Sequence, residues 1–381
     1  MKTLSSKLPN VGTSIFSVMS QLAAQHDCVN LGQGFPNFDT PEALKALVQR
    51  YVNEGYNQYA PMPGLLTLRE QLARKIEMLY RREVDPVSEI TITAGATQAI
   101  FTTIAATVRS GDEVIVLEPA YDSYAPSVMA NGGTVIPYTL KAPDYRPNWE
   151  ELARLFTSRT RMIVINTPHN PTGTVWREAD FKALEALLEA TDTLLLSDEV
   201  YEHLTYDGVR HESVLRYPRL FRRSFATFSF GKTFHNTGWK MGYCVAPEPL
   251  MEEFRKVHQF NVFSVNHPVQ RALADYLREP EHYLSLPAFY QQKRDHFTDA
   301  IAASRLRPLT CAGTYFRLFD YSAISDEPDI QFARRLVTDH GVAAIPVSAF
   351  NHDGHDDRVI RLCFAKTEET LDRAAKLLNR V

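Results

Sequence analysis

Two lysines, Lys232 and Lys240, lie in the stretch SFATFSFGKTFHNTGWKMG over residues 224–242. The stretch opens as a strand. Phe225, Thr227 and their apolar and β-branched neighbours suit a pleated, buried segment, and Gly231 and Gly238 punctuate the residues after it. The strand is therefore expected to end near Lys232. A lysine there, flanked by Phe230 and Phe234, loses solvation, which disfavours the ammonium and leaves a nucleophilic amine suited to Schiff-base formation. Lys240, beside Trp239, is a second candidate, and the stretch by itself does not choose between them.

Other chemistry-bearing residues come directly after apolar strand patterns elsewhere. After Thr93 come Ala94, Gly95, Ala96, Thr97 and Gln98, small residues opening a helix whose amides can meet a phosphate at its positive end, or simply a tight turn. After Leu117 comes Tyr121, a ring able to stack on a flat heterocycle, or plain packing. After Asn166 the turn Thr167-Pro168-His169-Asn170-Pro171-Thr172-Gly173 projects the Asn170 amide toward a ring oxygen, or is an ordinary turn asparagine. After Leu194, Leu195 and Leu196 come Ser197, Asp198 and Tyr201. A carboxylate so placed is costly without a cationic partner. A protonated pyridine nitrogen is one such partner, and a helix N-cap is the alternative use. Phosphate cradle, stacking ring, oxygen ligand, ring-nitrogen carboxylate and amine thus arrive in order, the parts of a pyridoxal phosphate site.

For these residues to meet, the elements carrying them must share one rim. From Glu89 to Ala246 short apolar strands, at 90–93, 113–117, 162–166, 193–197 and 224–229, alternate with helices or long crossovers, and 242–246 reads as an edge strand. That pattern predicts a doubly wound, mostly parallel α/β domain with ligands at the carboxyl ends of its strands. Residues up to about 40 read as an arm, with an amphipathic run over 15–24 and a ligand-proximal loop from Leu31 through Gly32, Gln33 and Gly34 to Pro36. Thr40 is expected to cap a helix with Pro41 at its first position, and a second helix carries Leu65, Leu68, Leu72 and Ile76. Beyond Pro247 one long helical pattern runs from Pro268 to about 303. A strand near 314–319, a helix near 330–338, a strand near 359–364 and a last helix then form a smaller α+β domain. The expected division is an arm at 1–40 joining the small domain, a large domain at 41–275 and a small domain at 276–381.

A length of 381 residues exceeds one compact core. The formal net charge of −4 comes from interspersed charges, so neither nucleic acid nor a membrane surface is an expected partner. Cys28, Cys244, Cys311 and Cys363 lie too far apart for a metal motif or a dense disulfide framework, and no metal is expected. The opening MKTLSSKLPN lacks the apolar core of a signal peptide and no apolar run approaches about 18 residues, so the expected location is cytoplasmic.

Taken together, the HNPTG turn, Asp198 with Tyr201, and SFGK resemble the class I aminotransferases over about residues 31–365. The resemblance implies the aspartate aminotransferase-like fold and pyridoxal 5'-phosphate as cofactor. It implies Lys232 as the Schiff-base lysine and Lys240 in a position where the family usually has a phosphate-binding arginine. By the same likeness Ala96, Thr97 and Ser229 hold the phosphate, Tyr121 stacks, Asn170 and Tyr201 reach the ring oxygen and Asp198 meets the ring nitrogen. Tyr59, in QYAPMPG, matches a tyrosine reaching the phosphate from a neighbouring subunit, which implies a homodimer with shared sites. Arg361, in VIRLCFA, and Gly34 match the positions that take the substrate carboxylate. LGQGFPNF, YAPMPG and PAYDSYAP resemble the group of methionine aminotransferases, kynurenine aminotransferases and glutamine transaminases. Phe16, Phe35, Tyr56 and Tyr59 are expected to supply aromatic surface near the site, with no second arginine for an acidic side chain. The implied reaction is ping-pong transfer of the amino group of methionine, glutamine, aromatic amino acids or kynurenine to a 2-oxo acid. A cysteine-conjugate or cystathionine β-lyase on the same site is the alternative, and a ligand-sensing regulator is a remote one.

Overall fold

The computed structural model describes residues 5–381, so the first four residues of the expected arm lie outside the described residues. A seven-stranded sheet runs edge to edge through Ile90–Thr93, Gly242–Val245, Ser224–Ser229, Leu194–Asp198, Thr160–Asn166, Glu113–Glu118 and Thr134–Thr139. All neighbours pair in parallel except Gly242–Val245, which is antiparallel to both of its neighbours. Its strands read as apolar runs because both faces are covered. Val114, Val116, Met162, Val164, Leu194, Leu196 and Phe225 pack on one face with Ile100, Ile104 and Phe254 of the helices Gly95–Thr107 and Glu248–Asn261. Ile115, Ile163, Leu195, Ala226 and Phe228 pack on the other with Phe181 and Leu184 of Glu178–Glu189.

Several expectations need correction. Residues 242–245 form an interior strand, not an edge, because Ile90–Thr93 pairs outside it. The far edge is Thr134–Thr139, which the strand pattern did not include. It pairs on one side only, where Pro137 can sit without removing a ladder bond. The strand carrying the two-lysine stretch stops at Ser229, and Lys232 lies in the following helical turn Phe230–Thr233. Thr40 does not cap its helix. Pro41 is the cap of Glu42–Asn53 with no side-chain bond, and the Thr40 hydroxyl donates to the His235 carbonyl at 3.2 Å. The long helical pattern is broken into His267–Tyr276, Glu281–Leu284 and Leu286–Ala300. Pro280 caps the second piece and Pro287 occupies the first turn of the third, positions where a missing N–H costs nothing.

A second, antiparallel sheet orders Ile345–Pro346, Val359–Cys363, Phe316–Asp320 and Arg307–Pro308. Ahead of the large sheet in sequence, Ile15–Gln25 is a helix capped by Ser14, and Val29–Asn30 pairs in parallel with Val342–Ala343. The arm thereby brings Gly32 and Gly34 over the carboxyl rim of the large sheet. Among the described residues no helix is long and apolar enough to cross a membrane.

Candidate active site

The carboxyl ends of the parallel strands open into a cavity of about 430 Å³. Ala96, Thr97, Tyr121, Asn170, Asp198, Tyr201, Ser229, Lys232 and Lys240 all line it, together with Gly34 and Arg361. These eleven residues come from distant parts of the chain and share the cavity because each lies just past a strand end or crosses it from the arm or the second sheet.

Lys232 is held by neutral oxygens. Its Nζ donates to the Tyr315 hydroxyl at 2.8 Å and to the Gly34 carbonyl at 3.2 Å, and no carboxylate lies within ion-pair distance among the described residues. Burial among these neutral groups pulls its pKa down to about 8, and the Arg361 and Lys240 charges act in the same direction. A lysine in that state is still mostly ammonium at pH 7 but gives up its proton from about pH 8, well below the 10.5 of an unperturbed lysine.

Asp198, the last residue of its strand, is only 3 % exposed. Burial raises its pKa to about 6, against the Tyr124 hydroxyl donating at 2.5 Å and the Val200 amide at 3.3 Å. It caps no helix, and among the described residues no cation lies within ion-pair distance of it. A buried carboxylate with neutral donors on one side is a receptor for a cation on the other.

Arg361 is 1 % exposed and, among the described residues, equally unpaired. Its Nη1 donates to Asn170 Oδ1 at 2.8 Å and its Nη2 to the Gly32 carbonyl at 3.0 Å, while Nε has no partner. The guanidinium lies 3.8 Å from the Phe316 ring centroid. Burial lowers its pKa to about 10, so it stays charged at neutral pH. A planar buried cation without an anion suits a carboxylate. Gly34 is required here: a Cβ on it would come 2.8 Å from Phe316 Cζ, driving the ring out from under Arg361.

At the opposite end the helix Gly95–Thr107 starts without any side-chain cap, leaving first-turn amides facing the cavity. Gly242 permits this, because a Cβ there would stand 2.9 Å from the Ala96 amide nitrogen. Lys240 Nζ lies 3.6 Å from where a Cβ of Gly95 would be, and the Thr97 hydroxyl is 3.3 Å from that of Tyr121. Amides, two hydroxyl side chains and an ammonium therefore surround one small volume, a set that fits a phosphate.

Two expected residues are not brought in. Tyr59 is 80 % exposed beside Phe263, and Tyr56 packs under Arg271, so neither lines the cavity of its own chain. Phe16 and Phe35 do line it, and among the described residues Arg361 is the only arginine that does. Reasoning from sequence passed over Tyr124, Tyr315, Phe316 and Asn166. Asn166, whose Oδ1 accepts from the Asn170 amide at 2.7 Å, was reachable by the strand-end rule. The three aromatic residues carry no signal in type or spacing that separates them from core packing.

Comparison with known proteins agrees with this geometry. Residues 26–378 match the family model described as aminotransferase class I and II. The chain is 53 % identical to the methionine aminotransferase of Escherichia coli, over 99 % of this chain and 98 % of that one. It is 35 % identical to human kynurenine–oxoglutarate transaminase 1, over 94 % of each. A crystal structure of a methionine aminotransferase from Escherichia coli superposes with a TM-score of 0.98 at 52 % identity, covering 100 % of both chains. An aspartate aminotransferase from Thermus thermophilus, solved with maleate, gives 0.91 at 31 % identity, again over 100 % of each.

Proposed function

The chain belongs to the class I and II aminotransferases, and from that premise we propose that it is a pyridoxal phosphate-dependent enzyme moving the amino group of methionine, and of glutamine and aromatic amino acids including kynurenine, to a 2-oxo acid in two half-reactions. The observation that carries this is the convergence on one cavity of three groups without ionic partners among the described residues, the half-buried Lys232 amine and the buried Asp198 carboxylate and Arg361 guanidinium.

The residues present fit the cofactor at both ends. The uncapped amides at Gly95, Ala96 and Thr97, with Ser229 and Lys240, would hold the phosphate, and the unpaired Asp198 would take the protonated ring nitrogen. Tyr121 would stack on the ring. Asn170 spends its Oδ1 on Arg361, so its amide hydrogens remain for the ring oxygen, with Tyr201 beside it. When bound, the cofactor supplies an electron sink for negative charge at the substrate α-carbon. Arg361 fixes the substrate carboxylate by its planar fork, and Phe16, Phe35 and the arm keep water from the reacting centre. Lys232, neutral above about pH 8, takes the α-proton and returns it on the reverse half-reaction. On this reading the chain divides into an arm at 1–40, a large domain at 41–275 and a small domain at 276–381. Two copies then pair, with Tyr59 of the partner subunit at the phosphate end of each cavity.

Methionine as donor is supported by the relative at 53 % identity and by Phe16, Phe35 and Phe316 lining a cavity with a single arginine. In a panel of donors with one oxo acid, methionine is expected to exceed aspartate in kcat/KM by about a hundredfold, because among the described residues no second guanidinium lines the cavity for the distal carboxylate. Aspartate as the best donor would overturn the assignment. Lys240 is the family's departure point. Lys240→Ala should weaken cofactor affinity by about tenfold or more, the worth of a charged hydrogen bond, whereas Lys240→Arg should keep or tighten it. Equal affinity for the alanine variant and the wild type, measured by equilibrium titration, would remove Lys240 from the phosphate site.

A further inference from the structure

The Tyr315 hydroxyl touches both the amine and the arm. It lies 2.6 Å from the Gly34 carbonyl oxygen and 2.8 Å from Lys232 Nζ, and Nζ is 3.2 Å from the same carbonyl. A carbonyl can only accept, so the 2.6 Å contact commits the one phenol proton to Gly34, and the phenol oxygen accepts from the amine. Nζ thus directs two N–H bonds at two fixed oxygens. With Cε as its third neighbour one tetrahedral direction is left, which in the neutral amine is the lone pair. We propose that Tyr315 is a positioning residue for Lys232: together with the Gly34 carbonyl it holds the free amine so that the lone pair faces the cavity. The inference rests on Lys232 being the reactive amine.

Both oxygens are on firm supports. Tyr315 is fully buried, wedged edge-on against Tyr201 at 5.3 Å and Phe316 at 4.8 Å between ring centroids. The backbone around it is tied down by the Thr314 amide donating to Leu204 at 2.9 Å and the Phe364 amide donating to Tyr315 at 3.0 Å. Gly34 in turn rests against the Phe316 ring beneath Arg361. The arm, the carboxylate clamp and the amine are therefore set by one cluster, so a shift in any of them misaims the proton-transfer direction.

Tyr315→Phe removes one oxygen and keeps the packing. The charged or titratable groups facing the amine, Asp198, Arg361, Lys240 and Cys363, are unchanged by it, as is the Tyr201 ring. In the full-length enzyme with cofactor, kcat is expected to fall about tenfold or more while the KM for methionine moves less than about threefold. In the cofactor-free full chain, the pH dependence of Lys232 acylation, followed peptide by peptide by mass spectrometry, should shift down by about half a unit or more, because the ammonium has lost an acceptor. Tyr290→Phe is the control. Its ring packs 5.9 Å from that of Tyr315, but its hydroxyl bonds His235, so both readouts should match the wild type. A Tyr315→Phe chain whose Lys232 titrates as in the wild type overturns the proposal, whatever its kinetics, and so does an unchanged kcat. If Lys232→Ala itself retained turnover, the functional assignment would fail instead.

Discussion

Lys232→Ala should reduce turnover by about four orders of magnitude while leaving a folded chain, because on the proposed reading it removes both the amine that would bond the cofactor and the base that would move the α-proton. Steady-state assay with methionine and an oxo acid checks it, together with the loss of the long-wavelength absorbance that a lysine-bound cofactor gives. Undiminished turnover would refute the assignment of the amine. A second consequence concerns stability. The lysine's pKa falls from 10.5 to about 8 in the folded chain, so below pH 8 the folded state carries a desolvated ammonium where the unfolded state carries a hydrated one. That costs about 3 kcal/mol, and the cost is relieved as pH rises from about 8 to 10.5. Lys232→Met in the cofactor-free chain is therefore expected to be more resistant to urea than the wild type at pH 7, with the advantage fading toward pH 10.

Asp198→Asn is the second large effect, and its two readouts move in opposite directions. On the proposed reading turnover should fall by about a hundredfold or more, because a neutral amide would not keep the cofactor's ring nitrogen protonated and the electron sink would weaken. Cofactor affinity should change less, since the phosphate end is untouched. Stability of the cofactor-free chain should rise. The carboxyl pKa is raised from 3.8 to about 6 by burial, so above pH 6 both states are ionised and only the folded one has lost solvation. The folded state binds more protons between about pH 4 and 6, hence its stability falls by about 3 kcal/mol as pH rises through that window and is flat beyond it. Asparagine abolishes that slope and can still accept from Tyr124. The difference between variant and wild type in denaturant unfolding should thus be largest at pH 7 and vanish near pH 4. A wild type as stable as the variant at pH 7 would mean that Asp198 is compensated inside the chain.

Both sites show the same design. Among the described residues the buried Asp198 and the half-buried Lys232 have no ionic partner, and buried Arg361 adds a third uncompensated group. Such groups cost solvation when they lack partners, and on the proposed reading a cationic ring, a carbonyl carbon and a carboxylate would offset them. The cofactor should stabilise the chain accordingly.

Much of this was legible in the chain itself, for a definite reason. In a parallel sheet each strand delivers its carboxyl end to the same rim, so residues just past Thr93, Leu117, Asn166, Leu196 and Ser229 must converge whatever the loops do. Residue type then named their chemistry. Strand order was less legible, since local pattern does not say which apolar run pairs outside another, and Gly242–Val245 was misjudged as an edge for that reason. The two-lysine stretch was undecided for a related reason, as desolvation depends on neighbours from elsewhere. The fold separates them: Lys232 is pinned among Tyr315, Gly34 and Tyr201, whereas Lys240 is exposed at the helix end.

By itself the sequence determined the sheet class, the rim where chemistry gathers and the kinds of group that gather there, because these arise from periodicity and side-chain type. Only the tertiary structure decided that Tyr315 and Tyr124 touch the reactive groups and that Gly34, Phe316 and Arg361 form one stack. It also left Tyr59 facing away from its own cavity. The contact between Tyr315 and Gly34 alone joins residues 281 apart, and closeness across such separations is set by packing of whole elements rather than by any local preference of the residues that meet.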